Sequence, residues 1–418
     1  MPYWEKNNTE NAGIPFESPN GLAESAWKAE LIRRPSASGG GDNAEMLKVP
    51  QRNHVGEYAS CLVLGIALSL PPASGLGYLI LPLATDGQSA GIRYMRAVAL
   101  FLGAAWCVAA SAYASGSSLW VALLTQSAYA ALMAVPALMP GRWWLRASIQ
   151  LALPTVPPLA YWLPLPPLAG AGWLFPGAGY SGVALYGGVT VAIAGLRHVD
   201  GARRQALHAI LAAAIVLAAG LNLHAYRYPP PGVSNWSALQ FRSASPVPQT
   251  FEDAALTMIR LSDVVRESSA AVIVAPENWL GTLPLAGMRR LRDALRPDQR
   301  LLVGGISTQD GVLRKGVWDL PGGSFTPAIA PIPLIEPYPA DYARAGHVIE
   351  VAGQSVSLLV CFEASTSLPL YHLHYGTPVI LVANGWWDTL GALSIQRSVA
   401  GSWARLFASP LLLSEALP

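Results

Sequence analysis

Ser357-Leu358-Leu359-Val360-Cys361-Phe362-Glu363-Ala364-Ser365 is an apolar run that stops on a thiol and a carboxylate. Short apolar runs bounded by turn residues read as buried strands. A second such run lies upstream, Ala270-Ala271-Val272-Ile273-Val274-Ala275, and it ends on Pro276-Glu277-Asn278. In α/β folds ligands sit at the carboxyl ends of strands, so Cys361 and Glu277 are the first candidates for chemistry. A thiol that opens a helix has its pKa lowered by the helix N-terminus, which favours the nucleophilic thiolate. Glu277 would serve as its general base. Each residue also has an ordinary reading. A lone strand cysteine is usually a small buried hydrophobe, and a glutamate after proline is usually a solvated turn residue.

The neighbouring pattern is that of an α/β sandwich. Ala238–Arg242 is a candidate strand. Phe251–Glu267 carries an apolar stripe at helical spacing through Ala255, Met258, Ile259, Leu261 and Val265. Leu285–Leu295 is helical and basic on one face, and Leu301–Ile306 is a strand. Val312–Leu320 runs into Pro321-Gly322-Gly323, which suggests a hairpin. Val348–Ala352 and Ser355–Cys361 pair across Gly353-Gln354, and Val379–Ala383 is another buried strand. Strands alternating with helices of this length define the class.

Further upstream the composition changes. Tyr226–Gly232 is a linker with a triple proline at Pro229–Pro231. Before it, apolar runs recur at about 59–70, 73–84, 97–114, 118–139, 147–167, 177–196 and 205–224. Crossing a hydrocarbon core takes roughly 20 residues, so residues 57–225 read as a membrane domain of about seven spans. The first two are short and form either thin spans or one re-entrant hairpin. The fifth holds six prolines from Pro154 to Pro167 and must be kinked or broken. The abundant glycine and alanine fit close helix packing, with a lipid-binding groove as the sharper alternative. Arg93, Arg96, Arg142, Arg146, Arg197, Arg203 and Arg204 fall in alternate loops. The positive-inside rule puts those loops and the polar, disordered tail of residues 1–56 in the cytoplasm, and residues 226–418 outside it. The expected location is a membrane, crossed several times.

Composition sets further bounds. Of 418 residues, 52% are hydrophobic and only 12% charged, against about 25% charged in soluble domains. A net charge of +2 gives no case for direct nucleic-acid binding. Three cysteines, Cys61, Cys107 and Cys361, make no disulfide framework, and seven scattered histidines show no zinc spacing. No metal or cofactor is expected.

The order of motifs resembles the nitrilase superfamily. It runs from Pro276-Glu277-Asn278 through a Gly-Gly strand and Pro333-Leu334-Ile335-Glu336 to Val360-Cys361-Phe362-Glu363-Ala364-Ser365 and Val382-Ala383-Asn384-Gly385-Trp386-Trp387-Asp388. The apolar half is similar to that of one branch, the apolipoprotein N-acyltransferases, as is Gly172–Gly182. A smaller group of the same plan, in plasmid conjugal transfer, fits the chain length and the tail better. The resemblance implies a multi-span helical membrane domain followed by a nitrilase-like αββα sandwich. It implies a Glu–Lys–Cys site with Glu277 as base and Cys361 as nucleophile. Glu336 matches the family's second acidic residue. Glu363 matches the acidic residue close after the cysteine, and Asn384, Trp386 and Trp387 match a loop beside the substrate. The two tryptophans have an equal claim as anchors at a membrane interface.

Two departures stand out. The family lysine belongs near Phe325–Ala330, which has none. Lys315, on the preceding hairpin, is the candidate substitute, with backbone N–H groups as the alternative partner for an oxyanion. The chain also stops soon after Ser409–Leu413, so the sandwich is expected to be truncated at its C-terminus relative to the acyltransferases. A sandwich lacking edge strands exposes backbone groups. The resemblance implies acyl transfer from a membrane lipid to an amine on a protein or peptide, through a cysteine thioester. Components of a conjugation apparatus are candidate partners. The alternative is a conjugation-associated membrane scaffold that keeps the fold without the chemistry. A small-amide amidase ranks last, since it needs no membrane half.

Overall fold

The computed structural model describes residues 53–71, 75–87, 89–114, 116–242, 251–277, 281, 285–331, 336, 338–340, 348–385, 388 and 391–417. Residues 52–418 form one compact unit, built of a helical half and a sandwich half.

The helical half begins with α1 (Asn53–Ser69), α2 (Ala90–Ala104), α3 (Trp106–Ala114) and α4 (Leu119–Ala134). It continues with α5 (Trp143–Ala152), α6 (Gly179–Gly195) and α7 (Gly201–Arg227). The second apolar run gives only a 3-10 turn at Leu76–Ile80 and one helical turn at Leu81–Ala84. The proline-rich fifth run is broken into α5 and the short turns Leu153–Thr155 and Leu159–Trp162. Proline removes a backbone donor and clashes with the preceding turn, so the break follows from sequence.

Among the described residues, two helical stretches are long and apolar enough to cross a membrane, Leu119–Leu138 and Gly201–Arg227. Two bent pairs raise this to four if each is one span: α2 with α3 at 46°, and Pro167–Leu174 with α6 at 111°. That is fewer than the seven runs read from the sequence. The difference lies in the breaks, which leave several runs too short as straight helices. α1 and α2 touch backbone to backbone. A Cβ on Gly65 would collide with the Leu100 carbonyl oxygen, and one on Gly103 with that of Leu62. Small residues permit this approach.

The sandwich half holds two five-stranded sheets. Its strands are β1 (Trp236–Ala238), β2 (Gln240–Arg242), β3 (Val272–Ala275), β4 (Arg300–Gln309), β5 (Val312–Leu320), β6 (Ser324–Pro327), β7 (Val348–Val351), β8 (Gln354–Val360), β9 (Val379–Asn384) and β10 (Leu411–Leu417). One sheet has the order β1-β3-β4-β5-β6 and the other β2-β10-β9-β8-β7. β1, β3 and β4 are parallel, as are β2, β10, β9 and β8. The β4-β5-β6 and β7-β8 pairs are antiparallel.

The inner faces share one core. Val272, Val274, Leu302 and Val317 of the first sheet pack with Val356, Leu358, Val360, Ile380 and Val382 of the second. On the outer face of the first sheet lie α8 (Phe251–Glu267) and α9 (Leu285–Ala294), through Leu261, Val265 and Leu291. On the outer face of the second lies α10 (Ala392–Leu406), through Val399 and Trp403. The layers thus run helix, sheet, sheet, helix.

The strand expected at Ala238–Arg242 is divided. β1 joins the first sheet and β2 the second, with Leu239 between them. The Leu239 N–H donates to the Val274 carbonyl at 2.8 Å, while its own carbonyl accepts from Glu415 N–H at 3.3 Å. The chain therefore stitches both sheets at one residue.

α10 also joins the two halves. A Cβ on Gly172 would collide with the Ser402 carbonyl oxygen, so backbone meets backbone there. The Ser402 hydroxyl donates to the Ala169 carbonyl. Arg405 donates to Asn222 Oδ1 at 2.8 Å, and its guanidinium lies 4.9 Å from the Trp173 ring centre.

Candidate active site

Glu277 stands two residues past the end of β3, and Cys361 directly follows β8. These strands belong to different sheets. Facing sheets bring their ends together, and the Cys361 thiol and the Glu277 carboxylate come within electrostatic reach of each other. Two residues far apart in sequence thus meet at one edge of the shared core.

Lys315 enters from β5, where it sits opposite Ile306 of β4. Its ammonium is 3.0 Å from Glu277 Oε1 and 2.6 Å from Glu336 Oε2. The Lys315 side chain is 1% exposed, Glu277 5% and Glu336 20%. The stretch after β6 runs beside it, with Ala328 N–H donating to the Lys315 carbonyl at 2.8 Å. The lysine absent from Phe325–Ala330 is therefore matched by one on the adjacent strand.

Two carboxylates and a thiol surround one ammonium. Burial pushes the Glu277 carboxyl up, Lys315 pulls it down, and Glu336 pushes it up again; the net direction is upward. Burial alone would lower Lys315, but Glu277 and Glu336 hold its pKa well above the ordinary value. Burial and then the Glu277 charge push the Cys361 thiol well up, against the pull of Lys315. The expectation that a helix N-terminus lowers this thiol is corrected here. Only the five-residue 3-10 turn Cys361–Ser365 follows it, and burial dominates. At rest the sulfur carries its proton.

The backbone at Cys361 is strained. Its φ is +46°, a left-handed conformation that costs a non-glycine residue on the order of 1–3 kcal/mol. Neighbours hold it there. Gln396 on α10 donates to the Cys361 carbonyl. The Asn384 backbone N–H points at the sulfur. Four residues on, the Ser365 carbonyl accepts from Leu165 N–H of the helical half at 2.8 Å. The turn that carries Cys361 is thus tied directly to the helical half.

Glu363 has a different place from the one expected beside substrate. It is fully buried. Oε1 accepts from Ile329 N–H at 2.6 Å and Ala330 N–H at 3.1 Å, and Oε2 accepts from Val360 N–H at 2.8 Å. It braces the chain on both sides of the site. Burial pushes its carboxyl up to about 7, against the downward pull of the Val360 and Ala330 N–H groups and Lys315. Trp386, Trp387 and Asn278 lie outside the described residues.

Sequence reading missed two residues of the site. Gln396 lies on a helix whose serines and glycine hide its apolar stripe. Half-buried Tyr338 follows Glu336 by two residues; burial, then the Glu336 charge, raise its phenol. Its nearness to Glu336 in sequence was the available signal. Among the described residues, no group of three or more His, Cys, Asp or Glu side chains is set to hold a metal ion.

The site is a buried Glu–Lys–Glu cluster against a thiol at a strand end, in a layered α/β sandwich fused to apolar helices. No protein-family model matches the chain. Two curated proteins share a stretch with it. A probable conjugal transfer protein TraB of Sinorhizobium fredii is 38% identical over 73 residues, covering 17% of this chain and 19% of that protein. The conjugal transfer protein TraB of Agrobacterium fabrum is 31% identical over 71 residues, covering 16% of this chain and 17% of its own length. The chain thus matches less than a fifth of the length of either relative.

Proposed function

We propose that the chain is a membrane-associated protein of conjugal transfer that moves an acyl group from a lipid to an amine through Cys361. The single observation behind the chemistry is the buried Glu277–Lys315 pair, 3.0 Å apart, within electrostatic reach of the Cys361 thiol. The membrane reading is supported by two apolar helices long enough to span, and by the tie from the nucleophile turn to the helical half. The conjugation reading is supported by the two relatives. We place the protein in a bacterial inner membrane with the sandwich outside the cytoplasm, as the basic loops suggest, and in the nitrilase-like class by its motif order.

In this reading the raised pKa of Cys361 makes Glu277 necessary, because no thiolate stands ready at neutral pH. Glu277 takes the S–H proton as sulfur attacks the ester carbonyl of the lipid. Lys315 and the Asn384 N–H stabilise the oxyanion. Preorganised donors of this kind contribute most of a site's rate enhancement. The tetrahedral intermediate collapses and breaks the C–O bond, and the leaving alkoxide takes the proton from Glu277. An amine then attacks the thioester. Glu277 accepts its proton and returns it to sulfur as the C–S bond breaks, giving an amide and the free thiol.

The test uses the full chain in a bilayer of phospholipid with labelled acyl groups. A hydroxylamine-sensitive acyl adduct at Cys361 is expected, and none in Cys361→Ala. Labelling that persists in Cys361→Ala would rule out the thioester. A scaffold role is the second reading, favoured by the deep burial of Glu277, Lys315 and Cys361. Transfer frequencies at the wild-type level in both Cys361→Ala and Glu277→Gln would select it.

A further inference from the structure

A second polar site lies at the other end of the helical half. α6 spans 17 residues, or about 25 Å at 1.5 Å per residue. At its first turn Tyr180 donates to the Leu370 carbonyl of the sandwich half. At its last, Ala194 lines a small cleft of about 30 Å³ that opens to solvent. The cleft is therefore separate from the Cys361 site.

Its polar lining is Arg93, Arg146, Gln150, Asp86 and His198, with Trp143 beside them. Arg93 is fixed by bonds to the Ala137 and Gly87 carbonyls at 3.1 and 3.2 Å. Arg146 is fixed by the Gly141 carbonyl at 2.7 Å. The one carboxylate is already engaged: Asp86 accepts from Gly87 N–H at 3.0 Å and lies 3.6 Å from His198 Nε2. Trp143 stacks flat on His198 at 5.7 Å. Gln150 is only 5% exposed, and its Nε2 finds no hydrogen-bond partner among the described residues. A buried donor left unmade costs free energy. An acceptor reaching it from the cleft would satisfy it.

We infer that this cleft binds the phosphate group of an anionic phospholipid headgroup. Two guanidiniums and an amide donor match phosphate oxygens. The cationic excess selects a net negative headgroup over a zwitterionic one. The cleft sits at the end of apolar helices, and an indole beside it suits the headgroup layer. A lipid satisfies both features, whereas free phosphate satisfies only the first.

The experiment uses the full chain in mild detergent, with native mass spectrometry after addition of phosphatidylglycerol, phosphatidylcholine or inorganic phosphate. One phosphatidylglycerol is expected to be retained, about tenfold more tightly than phosphatidylcholine. Arg146→Gln and Gln150→Leu should each weaken retention, the first by about tenfold, as for loss of a charged hydrogen bond. Arg203→Gln, at an exposed position at the start of α7, should retain it. Thermal unfolding checks that each variant is folded, and Gln150→Leu decides if Arg146→Gln is not. Equal retention of both lipids, or wild-type retention in Gln150→Leu, would overturn the proposal. Binding of millimolar inorganic phosphate that displaces phosphatidylglycerol would overturn the lipid assignment and leave a soluble anion as the ligand.

Discussion

Arg397 and Glu415 pair one to one beneath α10, with the guanidinium Nε 2.9 and 2.8 Å from the two carboxylate oxygens. Lys315, by contrast, is shared between Glu277 and Glu336 and faced by a thiol. Both clusters are set at strands of the same sandwich. The first balances its charge and needs no further partner. Among the described residues, the second sets two carboxylates and a thiol around one ammonium. Buried titratable groups with strongly displaced pKa values, as Cys361 and Lys315 have, cluster at functional sites. In the proposed reading, a cation shared between two carboxylates, rather than burial alone, separates the candidate reactive centre from a brace.

That contrast can be broken at four places. The largest effect is expected from Cys361→Ala, which should remove acylation entirely while leaving thermal stability near wild type, since alanine keeps the Cβ and the same left-handed backbone. Lys315→Met comes next. It leaves buried Glu277 facing partly buried Glu336 without a cation between them, so stability should fall by about 3–5 kcal/mol and acylation by roughly a hundred- to thousandfold, read by urea unfolding and burst kinetics. Arg397→Leu strands buried Glu415, but the arginine is partly exposed. A loss of about 2–3 kcal/mol is expected, with acylation per folded molecule within about threefold of wild type. A large rate effect there would erase the distinction between brace and reactive centre.

The smallest effect belongs to Glu363→Gln. Its amide faces the Val360 N–H, so one hydrogen bond is lost, at about 1–2 kcal/mol. The folded pKa of Glu363, about 7, lies above its ordinary value of 4.5. The native state therefore binds more protons between those values, and its contribution is full below 4.5 and lost as pH rises through 7. The cost of Glu363→Gln should shrink between pH 5 and pH 8. A cost that does not change with pH would show that Glu363 is already ionised when folded.

Much of the sandwich was legible because its strands are short apolar runs with clear stops. Val272–Ala275 and Gln354–Val360 appear close to where the pattern puts them. Residues 236–242 misled, because a strand that changes sheets at Leu239 has the same alternation as one that does not. α10 was missed because Ser394, Ser398, Gly401 and Ser402 dilute its apolar stripe; the small residues are there to let Gly172 approach. In the helical half, hydropathy gave the apolar runs, but proline decided their continuity. Glu277 and Cys361 were readable from strand ends. Lys315 was only a candidate, since strand register is a tertiary fact. Glu363 was misplaced because a carboxylate near a nucleophile looks the same in sequence whether it meets substrate or three backbone N–H groups.

The most direct measurement is the pH dependence of Cys361 acylation by a fatty-acid p-nitrophenyl ester, in the wild type and in Glu277→Gln. With Glu277 as base, the wild-type rate should rise through an apparent pKa above the usual carboxylate range and then level off. Glu277→Gln should be slow until the thiol itself ionises at alkaline pH. Superimposed profiles would contradict the account, because the sulfur would then be losing its proton without the carboxylate beside it.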